Sequence, residues 1–425
     1  MKGQIAGSDP VADSPRWGGT MRKLNTVAVS ALFLTVAAPV HAQEVVCFDE
    51  LLTSQAAVDA FNCTEVLGDV YIQGNNIVNL SGLSELRSIG GNLGINYSPA
   101  LVSLEGLEGL TTIGGDLGVT HDDGLETLAG LEGLTSVSGT VDISLDPALV
   151  SLEGLASLTS IGGQLIIEDD DALTSLAGLE KLSTVGAQTF IEENDALTSL
   201  AGLGALTSTG GLEIFLNPVL PSLAGLGSLT TDTSLLLVAA NASLVSLAGL
   251  DKLTTIGGKL TIGTDPSLTS LKGLESLAFI GGALEIGGNS SLQSLDGLEH
   301  VTSVGSVLPS TVTSVAIQKN PDLRSCSCGL SGLISGGEFT GVNGSVFIQG
   351  SDPTGLCNSP EQVLATPCEP QSTAPTPTPI PQASGDDGDG CAVTPAVQND
   401  VAAWWLLVPV LVFAWAWRRA LGRER

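Results

Sequence analysis

Leucine in the string Ser-Leu-x-Gly-Leu, or a close variant of it, recurs at Leu80, Leu104, Leu128, Leu152, Leu176, Leu200, Leu223, Leu247, Leu271 and Leu295. The spacing is 24 residues everywhere except between Leu200 and Leu223, where it is 23. A fixed period of this length leaves few folds open. A unit so short cannot bury an apolar face by itself, so successive units must stack and share one, which is the logic of a solenoid.

Within one unit the apolar steps decide helix against strand. Leu149, Leu152, Leu155, Leu158, Ile161, Leu165 and Ile167 advance by 3, 3, 3, 3, 4 and 2 residues. An amphipathic helix needs alternating steps of 3 and 4 over an unbroken stretch, and Pro147, Gly154 and Gly162-Gly163 break this one at every turn. The step of 2 marks a short strand with Leu165 and Ile167 pointing inward. The glycine pair before it is expected to make a tight corner through positive φ. The one short unit carries Gly210-Gly211-Leu212-Glu213-Ile214, which lacks the residue that separates Gly-Gly from Leu in Gly162-Gly163-Gln164-Leu165. Coils ~4.8 Å apart would make a rod of roughly 50 Å for ten of them.

Six residues before these leucines stands a column of short polar side chains: Asp122, Asp146, Asp170, Asn194, Asn217, Asn241, Asp265 and Asn289, continued by Asn320 in a last, irregular coil. At a corner such groups bond the backbone of adjacent turns. The competing reading is a calcium ladder, suggested by Glu168-Asp169-Asp170-Asp171 and Asp122-Asp123. Against it, the glycine-rich nonapeptide of calcium β-helices is absent and half the column is Asn, so the column is taken as structural, with no metal and no cofactor expected.

Charge and composition narrow the partners. Between residues 43 and 400 there are 7 Lys/Arg against 42 Asp/Glu, a net charge of −35. That surface repels phosphate backbones, so nucleic acid is excluded as a partner. Aromatics are only 4% of the chain and all five Trp fall in its terminal segments, which leaves an aliphatic core. Catalytic groups are scarce too. His121 lies beside Asp122 and Asp123 and His300 in a polar step, both expected as solvated surface residues, and neither belongs to a nucleophile motif. The expectation is a non-enzyme. Phe190 and Phe215 stand out near the short unit, as a candidate contact site or as a local packing accommodation.

The termini are expected to be addresses. Met21-Arg22-Lys23, an apolar run from Val27 to Ala38 and Val40-His41-Ala42 have the layout of a secretory signal peptide within a leader of residues 1–42, with Met21 as its start. At the other end, residues 401–417 are apolar apart from their indoles and are followed by Arg418, Arg419, Arg423 and Arg425, the pattern of a membrane stop within residues 401–425. Residues 369–400 form a Pro-, Asp- and Gly-rich linker, read as a stalk. Seven cysteines suit an oxidising compartment. Cys47 and Cys63 would pin an N-terminal cap (43–65). The solenoid then spans 66–325, and Cys326, Cys328, Cys357 and Cys368 would close a C-terminal cap (326–368) with two disulfides in one of three pairings, zinc being the alternative. Cys391 remains for processing.

Two resemblances add to this. Asn62-Cys63-Thr64-Glu65-Val66-Leu67-Gly68-Asp69-Val70-Tyr71-Ile72, leading to Leu83-x-x-Leu86-x-x-Ile89-Gly90-Gly91-x-Leu93-x-Ile95, resembles the receptor L-domain across about residues 47–325. The resemblance implies an all-β, right-handed, leucine-rich β-solenoid with a binding role, and it carries over no ligand residues. Gly390-Cys391, a short spacer, the apolar segment and the arginine cluster resemble the C-terminal sorting domain of myxobacterial surface proteins. That implies sorting machinery as a partner, processing near Cys391 and delivery to the cell surface. The function expected from all this is recognition or adhesion toward an extracellular protein or glycan, with a structural spacer of the envelope as the alternative.

Overall fold

The computed structural model describes residues 44–307, 312–324, 326, 328–335, 338–349 and 357–365. The leader, the linker, the apolar segment 401–417, Cys368 and Cys391 lie outside the described residues. Among the described residues no helix is long and apolar enough to cross a membrane.

The chain winds as an all-β parallel solenoid of about eleven coils with few helices. Each coil adds one strand to each of two sheets. Among the described residues the main sheet has 13 strands running in sequence order from Glu50–Leu52 to Ser345–Gln349, and the minor sheet has 12, each two residues long, from Val46–Cys47 to Ser303–Val304. Pairing is parallel and keeps the repeat in step: Val141, Ile143 and Ser144 lie opposite Leu165, Ile167 and Glu168. On the Ser-Leu-x-Gly-Leu side the β-pairing between coils takes the form of isolated bridges, such as Thr127 with Ser151.

One column of aliphatic side chains runs up the middle. Leu149, Leu152, Leu155, Leu158, Leu165 and Ile167 are fully buried and Ile161 is 2% exposed. Each contributes about 1.5–3 kcal/mol on burial. A row of hydroxyls adds cross-coil bonds outside this core. Thr135, Thr159, Thr207 and Thr254 donate through Oγ1 to the carbonyls of Thr111, Thr135, Ser183 and Thr230 at 3.0–3.1 Å.

The glycines act differently from the sequence expectation. The pair Gly162-Gly163 does not have positive φ. A Cβ at Gly162 would overlap the Ser138 carbonyl, and one at Gly163 the backbone of Gly139, so the pair is dictated by how closely neighbouring coils stack. Positive φ belongs to the glycine of Ser-Leu-x-Gly-Leu in most coils, where Gly178 (φ 114°) is typical, whereas Gly82 and Gly154 lie in 3-10 turns.

The N-terminal segment read as a cap is itself wound like a coil. Its strands Val46–Cys47 and Glu50–Leu52 extend both sheets in parallel. Its helix Gln55–Asp59, capped by the Ser54 hydroxyl, sends Val58 into the core. Cys47 and Cys63 are disulfide-bonded, with Cα atoms 5.9 Å apart. Cys326, fully buried, is bonded to Cys357, and Cys328 is disulfide-bonded as well, which leaves these sulfurs unavailable as zinc thiolates.

Candidate functional site

Three features of the coil could carry function: the Asn/Asp column, the corner beside it and the outer face of the main sheet.

Asp122, Asp146, Asp170, Asn194, Asn217, Asn241, Asp265, Asn289 and Asn320 do form one column, but inside the molecule, each no more than 1% exposed. The backbone N–H of each from Asp122 to Asn289 donates to Oδ1 of its counterpart in the next coil. The distances include 2.7 Å from Asp122 to Asp146, 3.0 Å from Asp146 to Asp170, 3.1 Å from Asn217 to Asn241 and 3.0 Å from Asn289 to Asn320. An Asn does more with its second atom. Nδ2 of Asn217 donates to the carbonyls of Ile191 (2.8 Å) and Phe215 (3.2 Å), and that of Asn241 to Ile214 and Ala239 (both 3.0 Å).

An Asp has no donor for those carbonyls unless it is protonated. Oδ2 of Asp122, Asp146, Asp170 and Asp265 is buried with no hydrogen-bond partner. Burial raises these carboxyls to about 7 for Asp122, about 8 for Asp146 and about 7 for Asp265, and raises Asp170 well above the usual range. Neighbouring carboxylates push the first three coils further in the same direction. A proton on Oδ2 turns the acid into a stand-in for the amide, so below these values the column is a set of neutral pegs.

The residue before each peg turns the corner. His121, Leu145, Asp169, Glu193, Leu216, Ala240, Thr264 and Lys319, together with Tyr97 before Ser98, have φ between 52° and 61°, and Gly288 before Asn289 has φ 78°. Non-glycine residues pay for that conformation with about 1–2 kcal/mol each. His121 is part of this corner and is not a free surface residue: its ring stacks on Tyr97 with centroids 4.7 Å apart, and burial lowers its pKa against Asp123 and Asp142. His300 is exposed. Two corner residues, Asp169 and Glu193, bring carboxylate oxygens within 4.8 Å of those of Glu168.

Next to that acidic corner, the main sheet carries the strands that flank the one-residue deletion. Strands Gln188–Glu192 and Gly211–Phe215 pair with Phe190 opposite Glu213 and Glu192 opposite Phe215. In both strands the alternate positions are buried, so these four half-buried side chains face outward as a two-by-two tile, phenyls on one diagonal and carboxylates on the other. Ile166 flanks Phe190 and Leu237 flanks Glu213 on the neighbouring strands. Burial first, and then Glu213, Glu168 and Glu193, push Glu192 up to about 9. Burial also raises Glu213.

Beneath the tile the core turns polar. Thr189, Thr209 and Asp232 are 0–2% exposed at positions filled elsewhere by Leu, Val or Ile. Thr209 Oγ1 bonds Thr189 Oγ1 at 3.0 Å and the Gly211 carbonyl at 2.9 Å, which seals the place where the chain is one residue short. The sequence drew attention to Phe190 and Phe215. It missed their carboxylate partners Glu192 and Glu213, although the outward step from Phe190 to Glu192 was readable from the two-residue strand period. Neither a protein-family model nor a curated protein matches this chain.

Proposed function

We propose that the chain is a non-catalytic recognition module. It presents a receptor L-domain-like, leucine-rich solenoid away from the cell surface on the linker of residues 369–400. The observation that carries this reading is the division of labour in each coil. Aliphatic side chains and the Asn/Asp column fill the interior, and the main sheet turns outward a row of side chains that changes from coil to coil, among them Tyr71, Ile166, Phe190, Glu213, Leu237 and Glu285. A broad, rigid face assembled from stacked coils suits the binding of another macromolecule. Disulfides Cys47–Cys63 and Cys326–Cys357 support an exported protein. On the same reading, residues 1–42 direct export, and residues 401–425 with Cys391 serve sorting and anchorage.

The test is sedimentation of the purified full-length chain, alone and with fractionated extracellular protein and glycan. A discrete complex of fixed stoichiometry supports recognition. Concentration-dependent polymerisation of the chain alone, with no complex, would place it among envelope spacers and overturn the proposal.

A further inference from the structure

We propose that the tile of Phe190, Glu192, Glu213 and Phe215 docks arginine side chains of a basic partner protein. This inference rests on the recognition reading and names the partner's chemistry.

The first support is the make-up of the outward row around the short coil. Apolar side chains such as Tyr71, Ile166 and Leu237 stand in that row elsewhere. Around the short coil, two phenylalanines stand on the outer face while Thr189, Thr209 and Asp232 occupy the core beneath. The hydroxyls of Thr189 and Thr209 seal the one-residue gap, whereas the two phenyls stand on the outer side of the sheet and take no part in that bond.

The second support is the chemistry of the four groups together. A phenyl face attracts a cation, and a carboxylate beside it supplies the counter-charge. Two of each, alternating on adjacent strands ~4.8 Å apart, offer a planar guanidinium both an aromatic surface and hydrogen-bond acceptors. The flanking Ile166 and Leu237 give the methylene stems of a basic segment an apolar bed.

Charge complementarity selects the occupant. Glu168, Asp169 and Glu193 border the tile, and the region from 43 to 400 carries −35. The same sheet shows what happens when the chain supplies its own cation: Glu285, farther along the column that holds Glu213, pairs with Lys259 at 2.7 Å. At Glu192 every electrostatic neighbour, namely Glu213, Glu168 and Glu193, is a carboxylate. A cation from outside answers that excess, whereas a neutral or anionic glycan does not.

Binding should also move a proton. Glu192 holds its proton to about 9, and an arriving guanidinium favours the ionised form, so docking near pH 7 releases a proton and tightens as pH rises toward 9. The other groups facing it, Glu213, Glu168 and Glu193, are carboxyls that push in the same direction.

The experiment is calorimetric titration of the full-length chain with a tetra-arginine peptide, in two buffers of different ionisation enthalpy, with tetra-citrulline as the neutral isostere. The expected results are binding of tetra-arginine alone and proton release on binding. Affinity should fall about tenfold or more in both the F190A/F215A and E192Q/E213Q double variants, and change less than about twofold in E285Q. All four substituted side chains of the tile face outward, and an unchanged thermal unfolding midpoint certifies the fold. Affinities equal to wild type in F190A/F215A would reduce the effect to general charge attraction and overturn the proposal. So would calcium that abolishes tetra-arginine binding while itself binding equally well to F190A/F215A, because the corner would then be a metal site. A discrete natural partner retained equally by wild type and F190A/F215A would sink the tile and leave the recognition reading standing. Polymerisation with no partner sinks the reading itself.

Discussion

The Asn part of the corner column and the Asp part occupy equivalent places and make the same first bond, yet they differ in the second. From Asn194 to Asn241, Nδ2 closes two carbonyls per coil. From Asp122 to Asp170, Oδ2 meets an environment built for a donor and finds no partner. One atom, nitrogen or oxygen, therefore decides whether a coil is indifferent to pH. Burying a polar group costs little when it is bonded and much when it is not, and the column holds both cases in one backbone.

The comparison breaks most visibly if a well-made rung is removed. Asn217→Ala deprives the Asn194 N–H and the carbonyls of Ile191 and Phe215 of their partner at once. Denaturant unfolding should show a loss of about 3–5 kcal/mol, more than a typical substitution. A loss under about 1 kcal/mol would mean that water reaches the column.

Converting the Asp part into the Asn part should work in the opposite direction. Asp146→Asn and Asp170→Asn each supply the missing donor, so each should stabilise the protein by about 1–3 kcal/mol at pH 8 and by far less near pH 4. The wild-type pH profile carries the same information. Asp122, Asp146 and Asp265 hold their protons to about 7, 8 and 7, whereas an unfolded Asp releases its proton near 4. Folding thus retains protons that the unfolded chain loses above pH 4. The column's contribution is whole below about pH 4 and is lost as pH rises through 7 to 8. The unfolding midpoint should fall across that window, and the slope should flatten in a variant with Asn at 122, 146, 170 and 265. Some slope will survive through Asp232, raised to about 7, and Glu192. A midpoint that rises with pH would contradict the neutral-peg account.

The smallest effect is at the corner. Leu145 has φ 61° and is 38% exposed. Leu145→Gly removes the steric cost of that conformation at the expense of a freer unfolded chain, for a net gain of about 0.5–1 kcal/mol in thermal unfolding. A loss would show that Leu145 packs against its neighbours enough to outweigh its strain.

Much of this architecture was legible because repetition turns a weak local signal into a strong one. Ten leucines at a fixed spacing demanded stacking, and the Leu165–Ile167 step located the strand. The Asn/Asp column was visible too, but its burial was not. Asn and Asp at a turn usually face water, and only the solenoid's winding brings this corner inside. The glycines misled for a related reason. Gly162-Gly163 reads as a turn, yet the need for glycine there arises from the coil below, 24 residues away in sequence. The tile was half visible. Phe190 and Phe215 were conspicuous in an aromatic-poor chain, whereas Glu192 and Glu213 were lost among 45 acidic residues until strand pairing placed them side by side.

The uniformity of the winding has a further consequence, for assembly. Coils this alike offer a growing chain many near-equivalent docking places, and a coil looped out would forfeit only its own contacts. The 23-residue winding shows how forgiving the stack is, because its strand Gly211–Phe215 and its peg Asn217 still keep register with the coils on both sides.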